Sequence, residues 1–146
     1  MFNTSSQMKI LVVHRQEAVV KQIKSALKDK AIIRYANSGL DGLLAARVES
    51  FDLIICSTDL PMVTGFELVR SVRTSSVNKN TPVIFLSDNL VDEKTEYLGN
   101  ALGVAAMLAM KEVEEQLANV VNEKIKPESD KDKEWNTLLS NRERLN

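Results

Sequence analysis

Five short apolar runs punctuate the chain: Ile10–Val13, Ala31–Ile33, Leu53–Cys56, Val83–Leu86 and Val104–Met110. Each is continuous rather than alternating, which is how a strand buried on both faces reads. Segments of helical period lie between them. Val19, Val20, Ile23, Ala26 and Leu27 form one stripe, and Leu40, Leu43, Leu44 and Val48 a second. Phe66, Val69 and Val72 form a third, Leu90, Tyr97, Leu98 and Leu102 a fourth, and Val113, Leu117, Val120 and Val121 a fifth. Strand and helix therefore alternate five times. This predicts an α/β fold, a doubly wound parallel sheet with helices on both faces and right-handed crossovers.

In such sheets, ligands bind beyond the carboxyl ends of the strands. The residues placed there are His14 and Arg15, Ser57, Ser87, and Met110 with Lys111. The 146 residues suit one core. We expect a tail over 1–7, a domain over 8–125, and a charged linker with a short C-terminal helix over 126–146. In that last stretch Pro127 sits among alternating charges, and Glu134, Trp135, Leu138, Leu139 and Arg142 suggest an amphipathic turn.

Charge and composition remove several function classes. A net charge of −1 provides no field to draw the chain to nucleic acid or an anionic membrane. The C-terminal stretch is too short for a helix-turn-helix and is charge-balanced, which disfavours a DNA-binding effector. No apolar stretch approaches the roughly 18 residues of a membrane span, and Met1–Gln7 lacks the pattern of a secretory signal. The single cysteine, Cys56, fits a reducing compartment, so a cytoplasmic protein is expected. His14-Arg15-Gln16-Glu17 after the first strand is not a glycine-rich phosphate loop, so a nucleotide enzyme is not expected.

Several motifs in order carry a resemblance. Lys9-Ile10-Leu11-Val12-Val13 looks like a first strand and Asp52-Leu53-Ile54-Ile55-Cys56 like a third. Leu60-Pro61 with Gly65-Phe66-Glu67-Leu68 looks like the loop into a third helix. Thr81-Pro82-Val83-Ile84-Phe85-Leu86-Ser87 looks like a fourth strand with its terminal hydroxyl, and Gly103 opens the fifth. From Lys9 to about Ile125 the chain resembles the receiver domains of two-component response regulators. That likeness implies the CheY-like, flavodoxin-like fold with strand order 2-1-3-4-5.

The resemblance also implies a phosphorylation kit: an acceptor aspartate, an acidic pair that holds Mg²⁺ with it, a hydroxyl and a lysine. Carried over by position, the acceptor falls on Ser57, the acidic pair on His14 and Arg15, the lysine on Met110, and the hydroxyl on Ser87. Mg²⁺ wants hard oxygen ligands, and a hydroxyl such as Ser57 needs a base or metal to become a nucleophile. Neither Mg²⁺ nor any other cofactor is therefore expected.

The expected activity is not enzymatic. It is that of an atypical, phosphorylation-independent receiver in two-component or phosphorelay signalling, binding protein partners. The alternative is an active receiver phosphorylated at Asp59. Arg15 has two readings: an internal pair with Asp59 or Asp88, or, with Lys111, an anion-binding pocket mouth. Lys111 also reads as the family lysine displaced by a bulge, although Leu117 keeps the ungapped register. Ser87 is expected to cap its strand. A protein partner or a second copy is expected on the fourth helix, fifth strand and last helix, around Tyr97, Met107, Val113 and Val120. The family's switch aromatic falls on Met107.

Overall fold

The computed structural model describes residues 7–75 and 77–125. Among them, five strands alternate with five α-helices. The strands are β1 (Met8–Val13), β2 (Ala31–Ala36), β3 (Leu53–Ser57), β4 (Val83–Ser87) and β5 (Ala106–Ala109). The helices are α1 (Ala18–Ala26), α2 (Gly39–Val48), α3 (Gly65–Ser75), α4 (Glu93–Ala101) and α5 (Val113–Lys124). A 3-10 turn, Met110–Glu112, leads into α5. All neighbouring strands pair in parallel, in the order β2-β1-β3-β4-β5. This is the expected CheY-like topology. The residues expected to form the first tail and the charged C-terminal stretch, apart from Gln7, lie outside the described residues.

The period-two geometry of a strand splits each apolar run between two layers. Ile10, Val12, Leu53, Ile55, Ile84, Leu86 and Leu108 pack with Val19 and Ile23 of α1 and with Val113, Leu117 and Val121 of α5. Leu11, Val13, Ile54, Cys56, Val83 and Phe85 pack with Ala45 and Ala46 of α2 and with Leu68, Val69 and Val72 of α3. The edge strand β2 runs three residues beyond the expected Ile33, and Ile32 and Arg34 on it stay exposed.

Three local expectations are corrected. The second helix is present, but its expected stripe faces the wrong way. Leu40, Leu44 and Val48 are exposed, Leu43 is half-buried, and Gly42, Ala45 and Ala46 face the sheet. A Cβ on Gly42 would lie 2.7 Å from Val13 Cγ2 and 2.9 Å from Leu68 Cδ1. The helix comes so close that only small residues fit inside it, and the leucines are left outside. Leu90 precedes the fourth helix and is exposed. That helix starts at Glu93, after Asp92, whose carboxylate accepts from Thr95 N at 2.8 Å and so caps it. The fifth strand is only four residues long, because Gly103, at φ 68°, and the turn it opens occupy the expected start.

Candidate functional site

The register brings the chemistry-bearing residues to one end of the sheet. Val13 pairs with Cys56, Ser57 with Leu86, and Ser87 with Ala109. His14, Ser57, Ser87 and Met110 thus sit at the carboxyl ends of adjacent strands.

His14 is buried at 3% exposure. Its N–H donates to Ala36 O at 3.1 Å, and its carbonyl accepts from the Tyr35 hydroxyl at 2.7 Å. Nδ1 accepts from Gln16 N at 3.0 Å. That bond requires an unprotonated Nδ1, so the neutral ring carries its proton on Nε2. Nε2 is buried and has no hydrogen-bond partner among the described residues. Burial holds the imidazole below its ordinary pKa. Asp88 opposes this, Arg15 adds to the lowering and Asp59 opposes it more weakly. Tyr35 is the member of this end that sequence reasoning missed, since an aromatic on an edge strand carries no signal for a bond to a neighbouring strand's last carbonyl.

Ser57 is buried, and its Oγ accepts from Asp59 N at 3.0 Å, so the hydroxyl serves the turn that follows the strand. Gly65 closes that loop from the other side. A Cβ there would collide with the Ser57 carbonyl oxygen. Thr58 N donates to Leu86 O at 2.9 Å and extends the β3–β4 ladder by one bond.

Arg15 projects from the loop after β1 and spans the loops after β3 and β4. Its Nη2 stands 3.7 Å from Asp59 Oδ2 and 3.7 Å from Asp88 Oδ2. Both pairings weighed from sequence are present at once. With Arg15 and the two aspartates all substantially exposed, each contact is worth about 1 kcal/mol or less. Their consequence is positional: a fixed positive charge lies between the two loop carboxylates.

Ser87 is half-buried and stays in the β4–β5 ladder, but its hydroxyl makes no hydrogen bond to the described residues, so the expected side-chain cap is not formed. Met110 opens the 3-10 turn and packs against the α1–α5 layer. Lys111 is exposed in the same turn and forms no ion pair with the described residues. Cys56 is fully buried, and burial pushes its thiol up to about 12, which leaves it unreactive.

The donors at this end suit Mg²⁺ poorly. They are an imidazole, a hydroxyl already used by the backbone, and two carboxylates that face a guanidinium, where the ion wants an octahedron of oxygens. Among the described residues, no three His, Cys, Asp or Glu side chains are grouped to hold a metal ion.

The expected partner face is narrower than its four residues suggested. Tyr97 on α4 is 73% exposed. Met107 is half-buried under α4, its sulfur 2.5 Å from where a Cβ on Gly99 would stand. Val120 is half-buried against the α1–α5 layer. Val113 is core, at 1% exposure, because the 3-10 turn delivers the first residue of α5 onto the sheet. It does not belong to the surface.

Comparison with known proteins agrees with this architecture. A "Probable transcriptional regulator ycf29" of Pyropia yezoensis is 35% identical over 80 residues, which cover 54% of this chain and 36% of that protein. A "Cell cycle response regulator CtrA" of Brucella ovis is 28% identical over 94 residues, 63% of this chain and 40% of its own. The chain thus spans well under half the length of these relatives. Among solved structures, the chemotaxis response regulator CheY4 of Vibrio cholerae superposes with a TM-score of 0.67 at 28% identity, covering 78% of this chain and 98% of that one. No helix of the described residues is long and apolar enough to cross a membrane. Residues 10–122 match the family described as response regulator receiver domain, and the chain belongs to that family.

Proposed function

We propose that this receiver domain works without phosphorylation, as a cytoplasmic protein-binding module in two-component signalling. The observation that carries this reading is Arg15, whose guanidinium lies between Asp59 and Asp88 at the end of the sheet where a receiver would gather carboxylates and Mg²⁺. Ser57, the last residue of β3, is buried and engaged by the backbone. Among the described residues no group of metal-ligating side chains is at hand to activate it. Asp59, the alternative acceptor, is exposed but shares the guanidinium with Asp88, and its neighbours offer an arriving metal no further oxygen cluster.

With no phosphoryl input, nothing biases the domain between two arrangements of its output surface. One conformation then presents its binding face at all times. That face centres on exposed Tyr97, with Met107 at the seam between α4 and β5 and half-buried Val120 at its border. It takes a protein partner rather than nucleic acid or membrane. Calorimetric titration with millimolar Mg²⁺ tests the reading. No saturable heat is expected, with or without beryllofluoride, and saturable binding abolished by Asp59→Asn or Asp88→Asn contradicts it.

A further inference from the structure

A groove of about 380 Å³ opens where α1 and α5 end side by side, next to the start of β1. Its apolar walls are Met8, Ala26 and Leu27 on one side and Ala118, Val121 and Ile125 on the other. Ala26 and Ala118 are too short to close the seam between the two helices, and so leave room for an indole ring. The rim carries Lys28 and Lys30, both exposed, and no carboxylate is among the described residues that line the groove. Asp29, between the two lysines, does not line it.

The place where the chain leaves α5 identifies what fills this groove. Ile125, which follows the helix, has extended backbone at φ −111° and ψ 113° and is only 3% exposed. The helix therefore stops against the groove, and the buried side chain of its last flanking residue pins the exit there. Pro127 has no backbone N–H and disfavours further helix. Glu128, Asp130, Asp132 and Glu134 follow, with Lys131 and Lys133 among them. That run is acidic on balance, opposite in sign to the rim. Behind it come Trp135, Leu138 and Leu139, at the i, i+3, i+4 spacing of one helical face. Nine residues separate Ile125 from Trp135. They span up to about 30 Å, ample to return the indole to a groove that begins at Ile125 itself. An aromatic side chain buries about 150–250 Å², which makes Trp135 the anchor of the segment.

We propose that the segment Glu134–Leu139 of the same chain docks in the α1–α5 groove, with the Trp135 indole between Ala26 and Ala118 and the acidic run before it along Lys28 and Lys30. The inference rests neither on the loss of phosphorylation nor on the Tyr97 face.

Trp135 is the only tryptophan of the chain, so the intrinsic fluorescence of the full chain reads this one site. Emission to the blue of the urea-unfolded chain is expected, with acrylamide quenching several-fold weaker and both readouts independent of protein concentration. Ala118→Glu fills the groove and adds a carboxylate to it. It should return emission and quenching to the unfolded values while the circular dichroism spectrum stays that of the folded domain. Lys28→Glu/Lys30→Glu reverses only exposed charges and should raise quenching in the same direction. This pair decides the matter if Ala118→Glu folds poorly. Tyr97→Glu, on another face, should change neither readout. Wild-type emission equal to that of the unfolded chain overturns the proposal. So does a blue emission that the groove and rim variants leave in place, one that Tyr97→Glu removes, or one lost on dilution, which would seat the segment on a second copy.

Discussion

Ser57→Asp, which returns a carboxylate to the end of β3, is expected to leave the domain unphosphorylated by acetyl phosphate and Mg²⁺. The new side chain would join an end of the sheet where Arg15 Nη2 already stands 3.7 Å from Asp59 and 3.7 Å from Asp88. A Mg²⁺ held among these carboxylates would lie on the order of 4 Å from the guanidinium. At that distance two unit charges repel by about 1 kcal/mol in water and about 4 kcal/mol at an effective dielectric of 20. The divalent charge doubles both figures. Because Arg15 is half exposed, solvent screening keeps the penalty near the low end, about 2–4 kcal/mol. That is a roughly thirty- to several-hundred-fold loss of Mg²⁺ affinity, before counting the ligands that His14 does not supply. Intact-mass spectrometry after incubation with the phosphodonor is the assay. The triple variant His14→Asp/Arg15→Asp/Ser57→Asp should, by contrast, bind Mg²⁺ saturably in calorimetry. Phosphorylation of the single variant would refute the weight placed on Arg15 and His14.

Three further outcomes are expected. His14 has its folded-state pKa depressed below the ordinary 6.5 by burial. The unfolded chain therefore binds the proton first, so the stability that neutral His14 carries is present above about pH 6.5 and is lost as the pH falls below it. His14→Asn, which keeps an acceptor for Gln16 N, should flatten that acid limb in urea-unfolding midpoints; an unchanged limb would assign it to other groups. Asn78→Asp should lower stability by about 3–5 kcal/mol in urea denaturation, with less than about 1 kcal/mol counting against the account. Buried Nδ2 donates to Ala46 O at 2.6 Å and Glu49 O at 2.7 Å, and an oxygen in its place faces both carbonyls. Tyr97→Glu should abolish capture of the native partner and change stability by no more than about 0.5 kcal/mol, while Ser57→Ala leaves capture unchanged; the reverse pattern would place control at the carboxyl ends of the strands.

The fold was legible because buried parallel strands write themselves as continuous apolar runs, and the topology of the sheet followed from the resemblance those runs carried. Burial direction within a helix was harder. The leucines of α2 are its most hydrophobic residues and set the stripe read from sequence, yet Gly42 against Val13 and Leu68 shows that close approach to the sheet selected size over hydrophobicity. Leu90 misled for the opposite reason, since the capping carboxylate of Asp92 two residues on was the better marker of the helix start. At the strand ends, the positions of His14, Arg15 and Ser57 were legible from spacing, and the partners of Arg15 from charge alone. The bond from the Tyr35 hydroxyl to the His14 carbonyl was not, because backbone acceptors leave no trace in sequence. Val113 was misplaced because the 3-10 turn before it shifts the helical phase, so a residue at the start of a stripe became core. Met107 is likewise a packing residue as much as a surface one. Met107→Lys is expected to loosen α4 from β5 and so cannot serve as the clean test of the partner face that Tyr97→Glu provides.

The central claim is that this receiver domain operates without a phosphoryl group. Its most direct test is the intact mass of the wild-type chain after exposure to acetyl phosphate and Mg²⁺, read under conditions that preserve acyl phosphates, alongside a phosphorylatable receiver as a positive control. The account predicts an unmodified mass for this chain and a shifted mass for the control. A stoichiometric phosphoryl adduct that disappears in Asp59→Asn would contradict it and establish Asp59 as the acceptor.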